Sequence, residues 1–283
     1  MSTYKAFKLE INNKIAHLQL NCPDTLNTMT PALWLELPEI VKKIDAEASA
    51  RVIVISSTGK HFSAGMDLAV FAGDDFNSQV ELGRKQERLK TLVYQLQDCL
   101  SAAEQIRIPV LAAIQGGCIG GAVDMVTACD MRYCTDDAFF TIEEIKLGMT
   151  ADVGTLQRLP RLIPQGLVRE LAYTGRRLLA NEAKEAGLVN KTFADQESML
   201  EYVMEIAAQI ASHSPLAVAG SKEMINYSRD HSVADSLRYM GVWQSGMFQP
   251  QTDMQECFIA KMEKRAPVFD ELEPILPPMS INN

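Results

Sequence analysis

The chain has 283 residues, of which 47% are apolar and 22% are charged. This composition is typical of a globular protein that buries one large core. The formal net charge is −9, which argues against a nucleic-acid partner because a broad nucleic-acid-binding face must be basic. The six cysteines have neither Cys-x-x-Cys nor zinc-finger spacing, so we predict buried free thiols in a reducing compartment and no metal site.

Predicted strands and helices alternate through the first half of the chain. A β-hairpin at 7–20 and a helix at 31–45 come first, and the helix has Thr30 as N-cap and Pro31 at its first position. The later elements are a buried strand at 52–55, a long helix at about 79–105, a strand at 110–114, an apolar segment at 122–128 and short strands at 131–134 and 138–141. This order predicts right-handed crossovers and a mostly parallel sheet.

Helical patterns dominate from about residue 156 onward. Three helices are predicted, at 197–212, 215–227 and 233–248. We therefore predict an α/β core over residues 1–195 and a helical region over 196–283. Helical regions of this kind often serve association between subunits.

Two glycine-rich turns follow buried strands. The first, Gly59-Lys-His-Phe-Ser-Ala-Gly-Met-Asp-Leu68, contains small residues that let the backbone approach a ligand. A free backbone N–H after a strand can form half of an oxyanion hole. Taken alone, the segment is equally well explained as an ordinary strand-to-helix turn.

The second turn contains Gly116, Gly117, Gly120 and Gly121 ahead of an apolar helix. These glycines do not fit the G-x-G-x-x-G dinucleotide fingerprint, and no Gly-Lys-Ser/Thr follows as in a P-loop. A helix N-terminus that a ligand approaches closely is one interpretation. Close packing of a helix on a strand is the other.

Three acidic residues, Asp124, Glu144 and Asp152, lie among apolar neighbours. Desolvation and mutual repulsion raise the pKa of such carboxyl groups, which suits proton transfer near neutral pH. A helix cap or a buried ion pair explains any one of them alone, and Asp152 could cap a helix that starts near residue 153. Three acids near two glycine-rich turns favour a catalytic site.

These motifs together resemble the crotonase (enoyl-CoA hydratase/isomerase) superfamily. Phe62-Ser-Ala-Gly-Met-Asp67 resembles its first oxyanion-hole motif, and the glycine run that ends in Asp124 resembles the second. Segments 23–27, 139–148, 154–160 and 183–189 also match, so the resemblance covers residues from about 5 to 265. It implies a crotonase-like ββα superhelix core with a helical C-terminal oligomerisation region, assembled as a trimer or a dimer of trimers.

The acid pattern separates the subgroups of this superfamily. Hydratases carry glutamates at the positions of Asp124 and Glu144 and a glycine at the position of Asp152. With three acids, and with segments 114–130 and 151–160, the chain resembles the Δ3,5-Δ2,4-dienoyl-CoA isomerases. One departure is Ala122, where that subgroup usually has glycine, and its extra methyl could narrow the pocket.

The resemblance implies proton transfer on an acyl-CoA thioester in fatty acid β-oxidation. Glu144 would act at C2 and Asp152 at C6, while Asp124 would hold a water or raise the pKa of Glu144. The N–H groups of Met66 and Gly121 would stabilise the enolate oxygen. The further residues expected at the oxyanion hole and substrate site are Ser63, Ala64, Gly65, Asp67 and Ala122. Coenzyme A is part of the substrate, and no metal or separate cofactor is expected.

Two other functions stay open at this stage. An enoyl-CoA hydratase would use Asp124 and Glu144 to activate a water but leaves Asp152 without a role. A non-catalytic protein that binds an acyl-CoA or a partner chain would have no need of all three acids. A serine hydrolase is disfavoured because no G-x-S-x-G occurs. No signal peptide, membrane span or Ser-Lys-Leu ending is recognisable, so we expect a cytoplasmic protein without membrane contact.

Overall fold

The computed structural model describes residues 4–67, 80–248 and 251–277. The strands are β1 (Phe7–Asn12), β2 (Ile15–Leu20), β3 (Val52–Ser57), β4 (Val110–Ile114), β5 (Gly117–Ile119), β6 (Met131–Thr135), β7 (Phe139–Thr141), β8 (Leu178–Leu179) and β9 (Lys191–Phe193). The helices are α1 (Pro31–Ala46), α2 (Leu82–Gln105), α3 (Gly121–Thr127), α4 (Thr155–Leu162), α5 (Gln165–Thr174), α6 (Ala180–Ala186), α7 (Gln196–Ala211), α8 (Pro215–Asp230), α9 (Val233–Met247) and α10 (Asp253–Glu263). Short 3₁₀ turns lie at Pro23–Thr25 and Glu144–Leu147.

A six-stranded sheet organises the fold, in the order β1-β2-β3-β4-β6-β9. The β1–β2 hairpin is antiparallel, and each of the other neighbours is parallel. Both the predicted hairpin and the predicted mostly parallel sheet are confirmed. A second sheet, β5-β7-β8, lies beyond the ends of β4 and β6.

The central strands β3 and β4 are buried on both faces, which explains their continuous apolar runs. Every residue of β3 is buried. One face packs against apolar residues of α1, such as Leu37 and Ile40. The other packs against α7 through Met199 and Val203. Each such fully buried side chain stabilises the fold by about 1.5–3 kcal/mol.

Most predicted elements are present, with ends shifted by a few residues. α1 begins at Pro31 after Thr30, as predicted, although the Thr30 side chain makes no capping hydrogen bond. α2 begins at Leu82, where Glu81 caps it by accepting the N–H groups of Gly83 and Arg84. The strands β5, β8 and β9 were not predicted, and the helices α4, α5, α6 and α10 lie in the region of helical pattern but were not predicted individually. The three short strands have only two or three residues each, which is too few for a period of two to show.

The C-terminal helices are less buried than the rest. α9 has no buried residue, and it exposes Val233, Leu237 and Val242 by 67–76%. No helix within the described ranges combines the length and apolar character needed to cross a bilayer. The predicted domain boundary at residue 195 stays a prediction, and α7, just after it, covers one face of the sheet.

Candidate active site

The two glycine-rich turns lie side by side at one edge of the sheet. They follow β3 and β4, which are parallel neighbours, so their carboxyl ends meet at the same edge. Ser63 of the first turn donates its N–H to Gly117 O at 3.2 Å, and its carbonyl accepts the N–H of Ile119 at 3.1 Å. Backbone hydrogen bonds therefore fix one turn against the other.

Gly65 of the first turn closely approaches the second turn. Its φ is +82°, and an added Cβ would lie 2.5 Å from Ile119 O and 3.5 Å from Gly121 N. The left-handed conformation and the lack of space both require glycine at this position. The predicted functional importance of this turn therefore has a steric basis.

Where the turns meet, two N–H groups have no hydrogen-bond acceptor among the residues that the structure describes. Gly65 O and Asp67 N both bond to Met29, so the N–H of Met66, which alternates with theirs, points away from Met29. Gly121 is the first residue of α3, where an N–H has no intrahelical partner. Within the described residues, neither N–H donates a hydrogen bond. Together they can bind a carbonyl oxygen or an oxyanion.

A cavity of about 580 Å³ opens beside these N–H groups. Its lining residues are Ala64, Gly65, Met66, Leu89, Leu92, Val93, Leu96, Ile119, Gly120, Gly121, Glu143, Glu144, Leu147, Met149, Asp152 and Val153. The wall is mostly apolar and includes two of the predicted catalytic acids, Glu144 and Asp152. A larger cavity, of about 730 Å³ between α2, α8 and α9, contains none of the predicted site residues.

The part of the apolar cavity wall that α2 forms was not predicted from the sequence. Leu89, Leu92, Val93 and Leu96 stand at the spacing i, i+3, i+4, i+7, which places them on one helical face. That spacing predicts a helix with an apolar face. It does not distinguish a face that packs on the core from a face that lines a cavity.

Glu144 stands at the start of the 3₁₀ turn Glu144–Leu147 and faces the second glycine turn. An added Cβ on Gly120 would lie 3.2 Å from its Oε1. Its Oε2 is buried and has no hydrogen-bond partner in the described part of the chain. Burial, together with the charges of Asp124 and Asp152, raises the pKa of Glu144 to about 7. A carboxyl group with this pKa can accept or donate a proton near neutral pH.

Asp152 reaches the same cavity from the loop before α4. Its carbonyl accepts a hydrogen bond from Gln97 Nε2 at 2.6 Å, which ties this loop to α2. The residue is exposed in the isolated chain, yet partial burial in the cavity wall still raises the pKa of its carboxyl group. The alternative that Asp152 caps a helix is wrong, because α4 begins at Thr155 with Gly154 at the N-cap.

Asp124 lies behind the cavity rather than in its wall. It is completely buried in α3, and its Oδ1 accepts the N–H of Thr155 at 2.5 Å. Its Oδ2 is buried without a partner among the described residues. Burial raises the pKa of Asp124 to about 6. The charge of Asp124 is one of the causes that raise the pKa of Glu144.

The remaining predicted site residues shape the turns without reaching the cavity. Ser63 Oγ donates to Asn27 O at 2.7 Å and accepts the N–H of Gly65 at 3.1 Å. Asp67 lies at the end of the first turn, outside the cavity wall. Ala122 is completely buried and is not in the wall either, so its methyl group does not narrow the cavity directly. Among the described residues, no cluster of His, Cys, Asp or Glu has the arrangement of a metal site.

Comparison with known proteins agrees with this geometry. The sequence model of the enoyl-CoA hydratase/isomerase family matches residues 10–272, and the chain belongs to this family. The predicted fold class is thereby confirmed. The crystal structure of an enoyl-CoA hydratase from Bacillus anthracis superposes with a TM-score of 0.83 at 32% identity, covering 94% of this chain and 99% of that one.

Two curated relatives carry a more specific name. The mitochondrial Delta(3,5)-Delta(2,4)-dienoyl-CoA isomerase of Mus musculus is 46% identical over 253 residues, which is 89% of this chain and 77% of the mouse protein. The peroxisomal Delta(3,5)-Delta(2,4)-dienoyl-CoA isomerase of Arabidopsis thaliana is 40% identical over 277 residues, which is 96% of this chain and 99% of the plant protein.

Proposed function

We propose that this protein is a dienoyl-CoA isomerase that converts a 3,5-dienoyl-CoA into the 2,4-dienoyl-CoA in fatty acid β-oxidation. The observation that carries the proposal is that Glu144 and Asp152 line one mostly apolar cavity beside two N–H groups that donate to none of the described residues. The names of the mouse and Arabidopsis relatives support the same reaction.

The thioester oxygen accepts hydrogen bonds from Met66 N–H and Gly121 N–H. As a proton leaves C2, negative charge develops on this oxygen. Loss of one such donor costs about 2.7–4 kcal/mol of transition-state stabilisation in comparable sites. Because the donors are backbone groups already fixed by the two turns, they need no reorganisation during the reaction.

Two carboxyl groups divide the proton transfers. Ionised Glu144 takes the C2 proton, and the electron pair of the C–H bond forms the C2=C3 bond while the C3=C4 pair moves to C4=C5. The C5=C6 pair then takes a proton from Asp152 at C6. The product is the 2,4-diene, with Glu144 protonated and Asp152 ionised until proton exchange restores both. The raised pKa values of both groups support proton exchange with each of them near neutral pH.

The apolar face of α2 supplies the contact surface for the acyl chain. Leu89, Leu92, Val93 and Leu96 stand in the cavity wall, and burial of an alkyl chain there is favourable by about 0.8 kcal/mol per methylene. Coenzyme A enters as part of the substrate, and the proposed mechanism requires no separate cofactor or metal.

The proposed assembly is a homo-oligomer, a trimer or a dimer of trimers. The exposed apolar side chains of α9 and α10, including Leu237, Val242 and Phe258, support it. The cytoplasmic location stays a prediction, since the mouse and Arabidopsis relatives are named mitochondrial and peroxisomal.

The activity is tested with two substrates, a 3,5-dienoyl-CoA and a 2-enoyl-CoA, followed by ultraviolet absorbance. We expect the 2,4-dienoyl-CoA band to grow with the first substrate. Asp152→Asn should abolish this growth, whereas Asp98→Asn, at an exposed position of α2 outside the cavity wall, should not. Loss of the 2-enoyl band without dienoyl turnover would instead identify a hydratase.

A further inference from the structure

The ring of His61 connects the two glycine turns. His61 lies in the first turn, and its Nδ1 accepts the N–H of Gly117, the first residue of β5, at 2.8 Å. β5 leads directly into Gly120 and Gly121. A side-chain hydrogen bond thus joins the segment that contains Met66 to the segment that contains Gly121.

This bond replaces a missing backbone bond between the turns. Ser63 N donates to Gly117 O and Ile119 N donates to Ser63 O, which is the pattern of two parallel strands. Continued by one step, this pattern would pair Gly117 N with the carbonyl of His61. That carbonyl accepts Asn27 Nδ2 at 3.1 Å and Ser57 Oγ at 3.3 Å instead. The imidazole takes its place as the acceptor for Gly117.

Gly116 leaves the space for this contact. Its φ is +57°, and an added Cβ would lie 2.2 Å from Lys60 O and 2.8 Å from His61 Nδ1. Any side chain at residue 116 would push the ring away from Gly117. Both turns are therefore shaped around the His61–Gly117 hydrogen bond.

The bond requires a neutral ring. A ring nitrogen accepts a hydrogen bond only when it carries no proton, so the ring must hold its proton on Nε2. Protonation of Nδ1 would place its N–H opposite the N–H of Gly117, and two donors form no hydrogen bond with each other. The ring stands edge-on to Phe139, with centroids 6.1 Å apart. Partial burial and the charges of Lys60 and Arg177 lower the pKa of His61, while Asp137 raises it.

We propose that His61 is a positioning residue of the oxyanion hole, whose neutral ring holds the two turns at the separation that Met66 N–H and Gly121 N–H require. The inference rests on the proposed function, because it assigns a role within that site. Protonation of the ring releases the second turn from the first. The effect falls on kcat more than on KM, since the hydrogen bonds from these two N–H groups strengthen as the oxyanion forms.

Two substitutions distinguish loss of the hydrogen-bond acceptor for Gly117 N–H from loss of the titratable ring of His61. In His61→Asn, Oδ1 stands where Nδ1 stood and accepts the same N–H without titrating. In His61→Leu no acceptor is left. At pH 8 we expect His61→Leu to lower kcat about tenfold, the factor that one neutral hydrogen bond supports, with KM changed less than about threefold. His61→Asn restores most of this loss.

The pH dependence gives a readout that lost packing would not change. The ratio of kcat in His61→Asn to kcat in the wild type should rise as pH falls from 8 to 5. Glu144, Asp124 and Asp152 are present in both proteins, so their titrations cancel in the ratio. A ratio that stays constant over this range would overturn the release of the second turn by protonation, and an equal loss of kcat in His61→Leu and His61→Asn at pH 8 would overturn the positioning role.

Nuclear magnetic resonance tests the same inference without turnover. In protein labelled with ¹⁵N-histidine and ¹⁵N-glycine, His61 Nδ1 should have the shift of an unprotonated acceptor at pH 8. The Gly117 and Gly121 amides should move with its titration, and should move in His61→Leu more than in His61→Asn. A proton on Nδ1, or a Gly121 amide that responds to neither change, would refute the inference. Correct spectra without dienoyl-CoA turnover would refute the proposed function alone.

Discussion

At the scale of single residues, Glu144 and Asp124 each have one buried carboxyl oxygen, Oε2 and Oδ2 respectively, that no described residue hydrogen-bonds. Desolvation of a carboxylate raises its pKa because burial penalises the charged form. Such groups reduce the stability of the folded chain at neutral pH, and the same property makes Glu144 able to exchange protons there.

Removal of the charge of Asp124 should change the pH profile. Asp124→Asn keeps an oxygen for the N–H of Thr155 but removes a charge that raises the pKa of Glu144. The acidic limb of kcat/KM, where Glu144 becomes protonated, should therefore move to lower pH. At pH 6, kcat/KM relative to its plateau should rise about two- to threefold. The measurement is kcat/KM from pH 5 to 9, and an acidic limb that stays in place would show that Asp124 has no influence on Glu144.

Neutralisation of Glu144 should stabilise the protein while it removes activity. The pKa of Glu144 rises from 4.5 to about 7 on folding. Between these two pH values the folded chain therefore binds more protons than the unfolded chain. The free energy of unfolding therefore falls as pH rises through this range. Glu144→Gln should raise the free energy of unfolding at pH 8 by about 1–3 kcal/mol and leave it nearly unchanged at pH 4. Urea unfolding at both pH values measures this, and an equal change at both would assign the effect to packing.

At the scale of elements, the position of α2 controls both the acyl-chain wall and Asp152. Four apolar residues of this helix line the cavity, and Gln97, one residue after the last of them, holds the carbonyl of Asp152 at 2.6 Å. Displacement of α2 would therefore move the acid proposed to act at C6. In the proposed mechanism, this hydrogen bond would connect binding of the acyl chain to proton transfer at C6.

Loss of the Gln97 side chain should weaken catalysis rather than binding. Gln97→Ala removes the donor to Asp152 O, so the loop before α4 gains freedom. We expect kcat to fall about three- to tenfold with KM changed less than about twofold, since one hydrogen bond is lost. Gln95→Ala is the matched control, because Gln95 is exposed on the same helix and outside the cavity wall. Equal effects of the two changes would remove Gln97 from the mechanism.

At the scale of the whole molecule, the C-terminal helices expose apolar side chains that an isolated chain leaves in water. Val233, Leu237 and Met240 follow one face of α9 and are exposed by 76%, 67% and 39%. Contiguous exposed apolar surface is typical of interaction sites between proteins. The proposed homo-oligomer would cover this surface with a second copy of the chain.

A charge on this face should reduce the assembly to a smaller species. Leu237→Glu places a carboxylate where the proposed interface would bury it without a partner, which costs several kcal/mol. Light scattering after size-exclusion chromatography should give a lower molar mass than for the wild type. Gln209→Glu, at an exposed position of α7, should leave the mass unchanged. An unchanged mass for Leu237→Glu would exclude this face of α9 from the interface.

Much of the fold could be predicted from local pattern. The alternation at 7–20 predicts the β1–β2 hairpin, and the β-branched run from Val52 predicts β3, because each pattern reflects a period set by backbone geometry. The two glycine turns and the acids Glu144 and Asp152 were also recognisable. The short strands β5 and β9 were not, since their hydrogen bonds depend on β7 and β6 rather than on their own residues.

The sequence by itself determined the residue types, the order of elements and the resemblance that linked them to acyl-CoA chemistry. The tertiary structure alone decided which of these residues meet. In the folded chain, Asp124 lies behind the cavity and accepts the N–H of Thr155. The leucines of α2 line the cavity wall together with Asp152. The ring of His61 accepts the N–H of Gly117. Each of these contacts joins residues from different elements, and packing of the whole chain fixes such distances, whereas periodicity along the chain reports only the local conformation.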